Sequence, residues 1–204
     1  SRSKKRSFFE DTTLYFDQMD IKKAAAFLVF GVSAALAVSA FLTLLPKVGL
    51  TEGYSEASHA MFNGRDMLFT ILTTVITAPL AEEIIFRGYM MNIFLETFEE
   101  KQAIWIVSLI FAVCHGQALW ILYALVMGLA LAWVSIREDN ILYGFFLHVG
   151  FNLPSALIWL AGNFENIDQL FFGSPWLIGG YGLIGLLICL LLIRRYLGSE
   201  KDLS

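Results

Sequence analysis

The chain has 204 residues, 57% of them hydrophobic and only 16% charged, with a mean hydropathy of +0.67 and a net charge of −4. A soluble domain carries about 25% charged residues, and here the apolar residues form long uninterrupted runs, so a soluble globular domain is excluded. The acidic balance, with basic residues only in short clusters beside those runs, excludes nucleic acid as a partner.

The elements read in chain order describe a helix bundle in a bilayer. Before the first span, Phe8, Phe9, Thr12, Tyr15, Phe16 and Met19 recur at roughly helical spacing, which fits a short interfacial helix. A spanning helix needs about 20 mainly apolar residues. Six stretches meet that need, at about Ala24 to Leu45, Met67 to Phe94, Ala103 to Leu119, Trp120 to Ser135, Ile141 to Ala161 and Pro175 to Ile193. Apolar character is nearly continuous from Ile104 to Val134, and only Gly116 and Gln117 offer a break between the third and fourth. The expected fold is therefore all-α, a polytopic bundle of about six transmembrane helices with a polar cavity opening toward the cytoplasm.

Orientation follows from basic residues in short loops. With the N-terminus inside, the inner face carries Arg2, Lys4, Lys5, Arg6, Lys22, Lys23, Lys101, Arg137, Arg194, Arg195 and Lys201, and the outer face only Lys47 and Arg65. Both termini are expected in the cytoplasm, in a multi-pass protein of the cell membrane. Trp105, Trp120, Trp133, Trp159 and Trp176 fall near helix ends, where their amphipathic rings prefer the interface. The chain divides into an N-terminal segment 1–23, a first span and outer loop 24–66, a core 67–162 and a last span with tail 163–204. Cys114 and Cys189 both lie in apolar stretches and read as small buried hydrophobes.

The informative residues are the ionisable ones inside spans, each of which costs about 2.5 to 3.5 kcal/mol at a helix centre. The second span holds Glu82, Glu83 and Arg87. Glu83 and Arg87 stand i,i+4 and can pair, whereas Glu82 is rotated about 100° away and must face something else. The ion pair alone could be a strut between helices, but a strut leaves the second glutamate unexplained. His115 follows Phe111 by one turn, and His148 and Asn152 form another i,i+4 pair in the fifth span. Singly, each could be core histidine or interhelical glue. Counted in helical rise, all of them fall in one layer of the cytoplasmic half, which argues for a shared wet cavity. Pro79, one turn before Glu82, is expected to kink the helix and open room beside the carboxylates. Thr73, Thr74 and Thr77 are expected to bond back to their own helix, and His59 to be solvated in a polar loop.

Glu-Glu-x-x-x-Arg, then Phe-x-x-x-His, then His-x-x-x-Asn, in that order on successive spans, resembles the signature of the CPBP family. These are the Abi or type II CAAX prenyl protease-like intramembrane proteases, which include bacteriocin-processing and self-immunity proteins. The resemblance covers about Met67 to Gly162. It implies that Glu82 activates a water with His115 assisting, that His148 and Asn152 hydrogen-bond the oxyanion, and that Glu83 and Arg87 position the site. It implies a peptide or membrane-protein substrate, and no required cofactor. A zinc ion on Glu82, His115 and His148 is the alternative, since three protein ligands suit a catalytic zinc site. The metal-free reading is preferred because the helical histidine pairing that marks zincins is absent.

Two other classes fit a polar layer in a membrane. A non-catalytic scaffold binding a partner membrane protein would have little reason to keep all three motifs. A transporter or channel would be expected to show an inverted repeat, and none is visible.

Overall fold

The computed structural model describes residues 12–44, 66–161 and 174–201, which are helical with no strand among them. Six helices carry the fold: α1 (Ile21–Leu44), α2 (67–95), α3 (Glu100–Val113), α4 (Ala118–Glu138), α5 (Ile141–Ala161) and α6 (Pro175–Lys201). Four stretches are long and apolar enough to cross a membrane, Ile21–Phe41, Leu68–Leu95, Ala118–Glu138 and Trp176–Arg194, with a shorter apolar helix over Ile141–Leu157. The protein is a multi-pass membrane protein built as an all-α bundle. The third expected span is the exception. α3 has 14 residues, a rise of about 21 Å, short of the roughly 30 Å hydrocarbon layer. The expected break is real, because Gly116 takes φ +73 and turns the chain between α3 and α4.

Local sequence fixes the other ends. Asp66 caps α2 by accepting from Phe69 N–H at 2.9 Å, and Gln117 caps α4 by accepting from Trp120 N–H at 2.9 Å. Glu99 and Gln102 form a capping box at α3. α4 closes on Asp139 in the left-handed region, φ 47, and α5 begins two residues later.

α2 is one continuous helix with two π-helical stretches, Leu72–Thr77 and Glu83–Met90. The first runs into Pro79, whose ring would crowd the carbonyl one α-turn back and which brings no N–H; a wider turn relieves both. The sequence reading anticipated a disturbance at Pro79 but not its form, a widening rather than a break. The threonines behave as expected: Thr73 donates to Phe69 O at 2.7 Å, Thr74 to Thr70 O at 2.8 Å and Thr77 to Leu72 O at 3.2 Å, five residues back as the π register requires.

α1 packs against α5 on one side and α6 on the other, α3 pairs with α4, and α4 lies on α5. α2 leans on α5, α3 and α4. A Cβ on Gly31 would strike Leu147 O and Phe151 N, and one on Gly150 would strike Leu28 O, so these glycines let α1 and α5 touch backbone to backbone.

At one end of the bundle Lys23 at the start of α1 pairs with Glu138 at the end of α4 at 2.7 Å. Tyr196 of α6 donates to the same carboxylate. The starts and ends that carry Lys22, Lys23, Arg137 and Arg194 are thus gathered at one side, as the basic asymmetry predicts.

The N-terminal aromatic reading is only partly testable, since Phe8 and Phe9 lie outside the described residues, as do His59, Lys47 and Arg65. From Thr13 to Asp20 the chain is turns and extended backbone, not helix. It is a strap docked on the charged end. Asn140 reads the Tyr15 backbone twice, donating to its carbonyl at 2.8 Å and accepting from its N–H at 3.4 Å. Ile141 N–H donates to Thr13 O at 3.0 Å. Leu14 packs on Ile141 and Leu142, and Thr12, fully buried, covers Gly88.

Candidate active site

Two helices, α2 and α5, bring Glu82, Glu83, Arg87 and His148 into contact, while His115 meets them through the Phe111 ring and Asn152 bonds the α2 backbone. On α2, Glu83 and Arg87 are buried, with Arg87 Nη1 donating to Glu83 Oε1 at 3.1 Å. Arg87 Nη2 donates to Gly128 O of α4 at 3.2 Å. Its guanidinium carbon also sits 4.3 Å from the centre of the Phe111 ring on α3, a cation–π contact strengthened by the dry surroundings.

His148 reaches in from α5. Its Nδ1 lies 3.1 Å from Glu83 Oε1, the same oxygen that Arg87 holds. A carboxylate only accepts, so Nδ1 carries the proton. That leaves Nε2 facing Glu82 Oε2 at 3.6 Å. The two glutamates, expected to face different ways, thus address opposite nitrogens of a single imidazole. Glu82 is the less enclosed, its side chain 32% exposed against 0% for Glu83.

His115 belongs to the turn after α3 rather than to a span. Its Nδ1 lies 2.8 Å from Phe111 O, a carbonyl that can only accept, so this nitrogen too bears a proton and Nε2 is left to accept. The Phe111 ring serves both histidines, with centroids 4.7 Å from His115 and 5.9 Å from His148. The one-turn spacing of Phe111 and His115 does bring their rings together, edge to face; the service of Phe111 to Arg87 and His148 had no signal in the sequence.

Asn152 lies one turn beyond His148 and donates through Nδ2 to Thr74 O at 3.0 Å. The reason is Pro79. Ala78 N–H bonds to Thr73 O. The next residue has no N–H to give Thr74 O in the same register, so Asn152 supplies the missing donor. One amide hydrogen of Asn152 is therefore engaged on α2, and the other is directed elsewhere by the planar geometry of the group.

Openness is uneven. Thr12 covers Gly88, one residue beyond Arg87, while Glu82, His115 and Asn152 are each partly exposed and Cys114 is exposed. For zinc, Glu82, His115 and His148 do not form a ligand set: no three His, Cys, Asp or Glu among the described residues converge to hold one metal ion. His115 and His148 each have Nδ1 engaged by a protein acceptor.

Residues 64–154 match the family described as type II CAAX prenyl endopeptidase Rce1-like. A protein of Escherichia coli described as an uncharacterized 24.3 kDa protein is 34% identical over 91 residues, 41% of this chain. The chain spans about two fifths (41%) of that relative's length. No solved structure matches. The matched segment contains all six polar residues of the layer, so what the comparison supports is a likeness of this stretch to the type II CAAX prenyl endopeptidase Rce1-like family.

Proposed function

We propose that the protein is an intramembrane endopeptidase that hydrolyses a peptide bond of a peptide or membrane-protein substrate with a water activated by Glu82. The observation that carries the reading is the seating of the His148 imidazole between two carboxylates, 3.1 Å from Glu83 Oε1 and 3.6 Å from Glu82 Oε2. A buried imidazole fixed at Nδ1 has one working nitrogen, and that nitrogen faces the more exposed glutamate.

Amide hydrolysis needs a base for the attacking water and donors for the oxyanion that forms. Glu82 is the base, and the accepting Nε2 of His115 helps hold the water. His148 in its imidazolium form, with Nδ1–H held by Glu83 and Nε2–H free to donate, and the second amide hydrogen of Asn152 are the oxyanion donors, each worth about 3 to 4 kcal/mol in a site poor in water. Glu83 orients His148, and Arg87 fixes Glu83 against α4. The proton taken by Glu82 passes to the leaving amine, which closes the cycle without a metal. Both termini and the basic ends of the helices are assigned to the cytoplasm, and the scissile bond to the layer that holds Glu82, His115 and Asn152, the partly exposed residues of the site.

The test uses the purified full chain in proteoliposomes with a library of quenched fluorescent peptides. Wild type should cleave a subset, Glu82→Ala and His115→Ala should lose turnover by at least about a hundredfold, and a strong chelator should leave the wild-type rate unchanged. Wild-type turnover in both variants would remove the mechanism. Loss of activity on chelation, restored by zinc, would replace the water-only chemistry with a metal-assisted one.

A further inference from the structure

Ser135 on α4 is buried, and its hydroxyl has no hydrogen-bond partner among the described residues. A helical serine ordinarily bonds back to the carbonyl one turn earlier, which here is Leu131 O. The second oxygen of Glu83, Oε2, is likewise buried and unpartnered among the described residues. Both groups point at one place on α5. A Cβ on Gly144 would lie 2.8 Å from Ser135 Oγ and 3.0 Å from Glu83 Oε2, with Leu131 O at 3.7 Å. A side chain at 144 would press on both oxygens and force them to shift, so glycine leaves a polar notch between three helices, one turn before His148.

The two oxygens do not bond each other, yet both lie close to the same point. Their separation is therefore at most about two hydrogen-bond lengths. That is the span of a single water. Such a molecule would donate to Glu83 Oε2 and to Leu131 O and accept from the Ser135 hydroxyl, the roughly three hydrogen bonds usual for buried water. Leaving a buried carboxylate oxygen without a donor is the costly alternative.

We propose that the notch at Gly144 binds one structural water bridging Ser135 and Glu83, and that Ser135 and Gly144 are positioning residues for the carboxylate that orients His148. The water site stands on geometry alone, and its effect on turnover rests on the peptidase reading. The test has two arms so that the two can fail separately.

In the first, a crystal structure of the full chain grown from a lipid mesophase should show a density peak within about 3.2 Å of both Ser135 Oγ and Glu83 Oε2. Gly144→Ala should lose that peak. An empty notch, or Ser135 Oγ bonded directly to Glu83 or Leu131, would overturn the site. Thermal unfolding of the same protein should show Ser135→Ala lowering the midpoint by about 2 to 4 °C. Ser135→Thr, which keeps the hydroxyl, should restore it. In a Glu83→Gln background the Ser135→Ala loss should fall by half or more; an equal loss in both backgrounds would overturn the link to the carboxylate.

In the second arm, with any quenched fluorescent peptide that the wild type cleaves, Ser135→Ala should lower kcat about tenfold, the low end of effects seen when a supporting hydrogen bond is removed. KM should stay within about twofold, because the contact lies behind the site. A loss falling wholly in KM would overturn the positioning role. A wild type that cleaves no peptide fails the peptidase reading and leaves the water site to be decided by density and unfolding.

Discussion

Two ion pairs in this molecule use the same chemistry in opposite surroundings. Lys23 and Glu138 meet at the end of the bundle, where the lysine side chain is 42% exposed, while Glu83 and Arg87 meet where neither side chain is exposed at all. The outer pair is cushioned: Tyr196 bonds the same carboxylate, Lys23 sits over the Tyr143 ring, and Phe27 packs against both tyrosines at steep angles. If the salt bridge fails, water and rings remain. The inner pair has protein groups where the outer one has water: Arg87 is held by Glu83, the Gly128 carbonyl and the Phe111 face, and Glu83 by Arg87 and His148, so fixed neighbours stand in for a solvation shell. Exposed pairs tolerate loss, and buried ones transmit it.

That contrast can be broken most directly at Arg87. Arg87→Ala removes the buried Glu83 carboxylate's charge partner and leaves it the His148 Nδ1–H, at an expected cost of about 3 to 5 kcal/mol, read as a collapse of the unfolding midpoint together with turnover. An unchanged midpoint would show that the inner pair is no more than a surface bridge. Next in size is Glu82→Gln, which removes the proposed base but not the pair. Peptide turnover should fall by about 10² to 10⁴-fold while the unfolding midpoint stays near wild type, separating chemistry from scaffolding within neighbouring residues. Smaller again is Asn152→Ala, which leaves Thr74 O without its donor at a cost of about 1 to 3 kcal/mol. Pro79→Ala returns a backbone N–H next to Thr74 O, so in that background the Asn152→Ala penalty should shrink; a double-mutant cycle measures the coupling. Smallest is Lys23→Ala, at about 0.2 to 1 kcal/mol, measured by unfolding at low and high salt.

How much of this was legible in the sequence depended on what each residue type can do alone. Charges inside apolar runs flagged Glu82, Glu83, Arg87, His115, His148 and Asn152, because a bilayer tolerates such groups only with partners. The i,i+4 spacing foretold the Glu83–Arg87 bond, and Gly116 foretold the turn. What spacing could not give was the partner across helices. That His148 would lie between both glutamates depends on how α5 sits on α2, and the π-helical widening that accompanies Pro79 reads in sequence only as a generic kink. The shortness of α3 was hidden because apolar character runs on through the turn. Gly128 and Gly144 were equally silent, since a glycine announces that something comes close and not what it is.

The contact of Gly31 with Leu147 and Phe151 reaches further than packing. Those residues bracket His148, so the face on which the imidazole's helix is seated belongs to α1, a stretch that lies before residue 64 and outside the family match. The segment bearing every reactive group thus borrows its alignment from a neighbour bearing none. Exchanging the matched stretch between relatives would transplant the acids and imidazoles but leave behind the rail that sets their pitch.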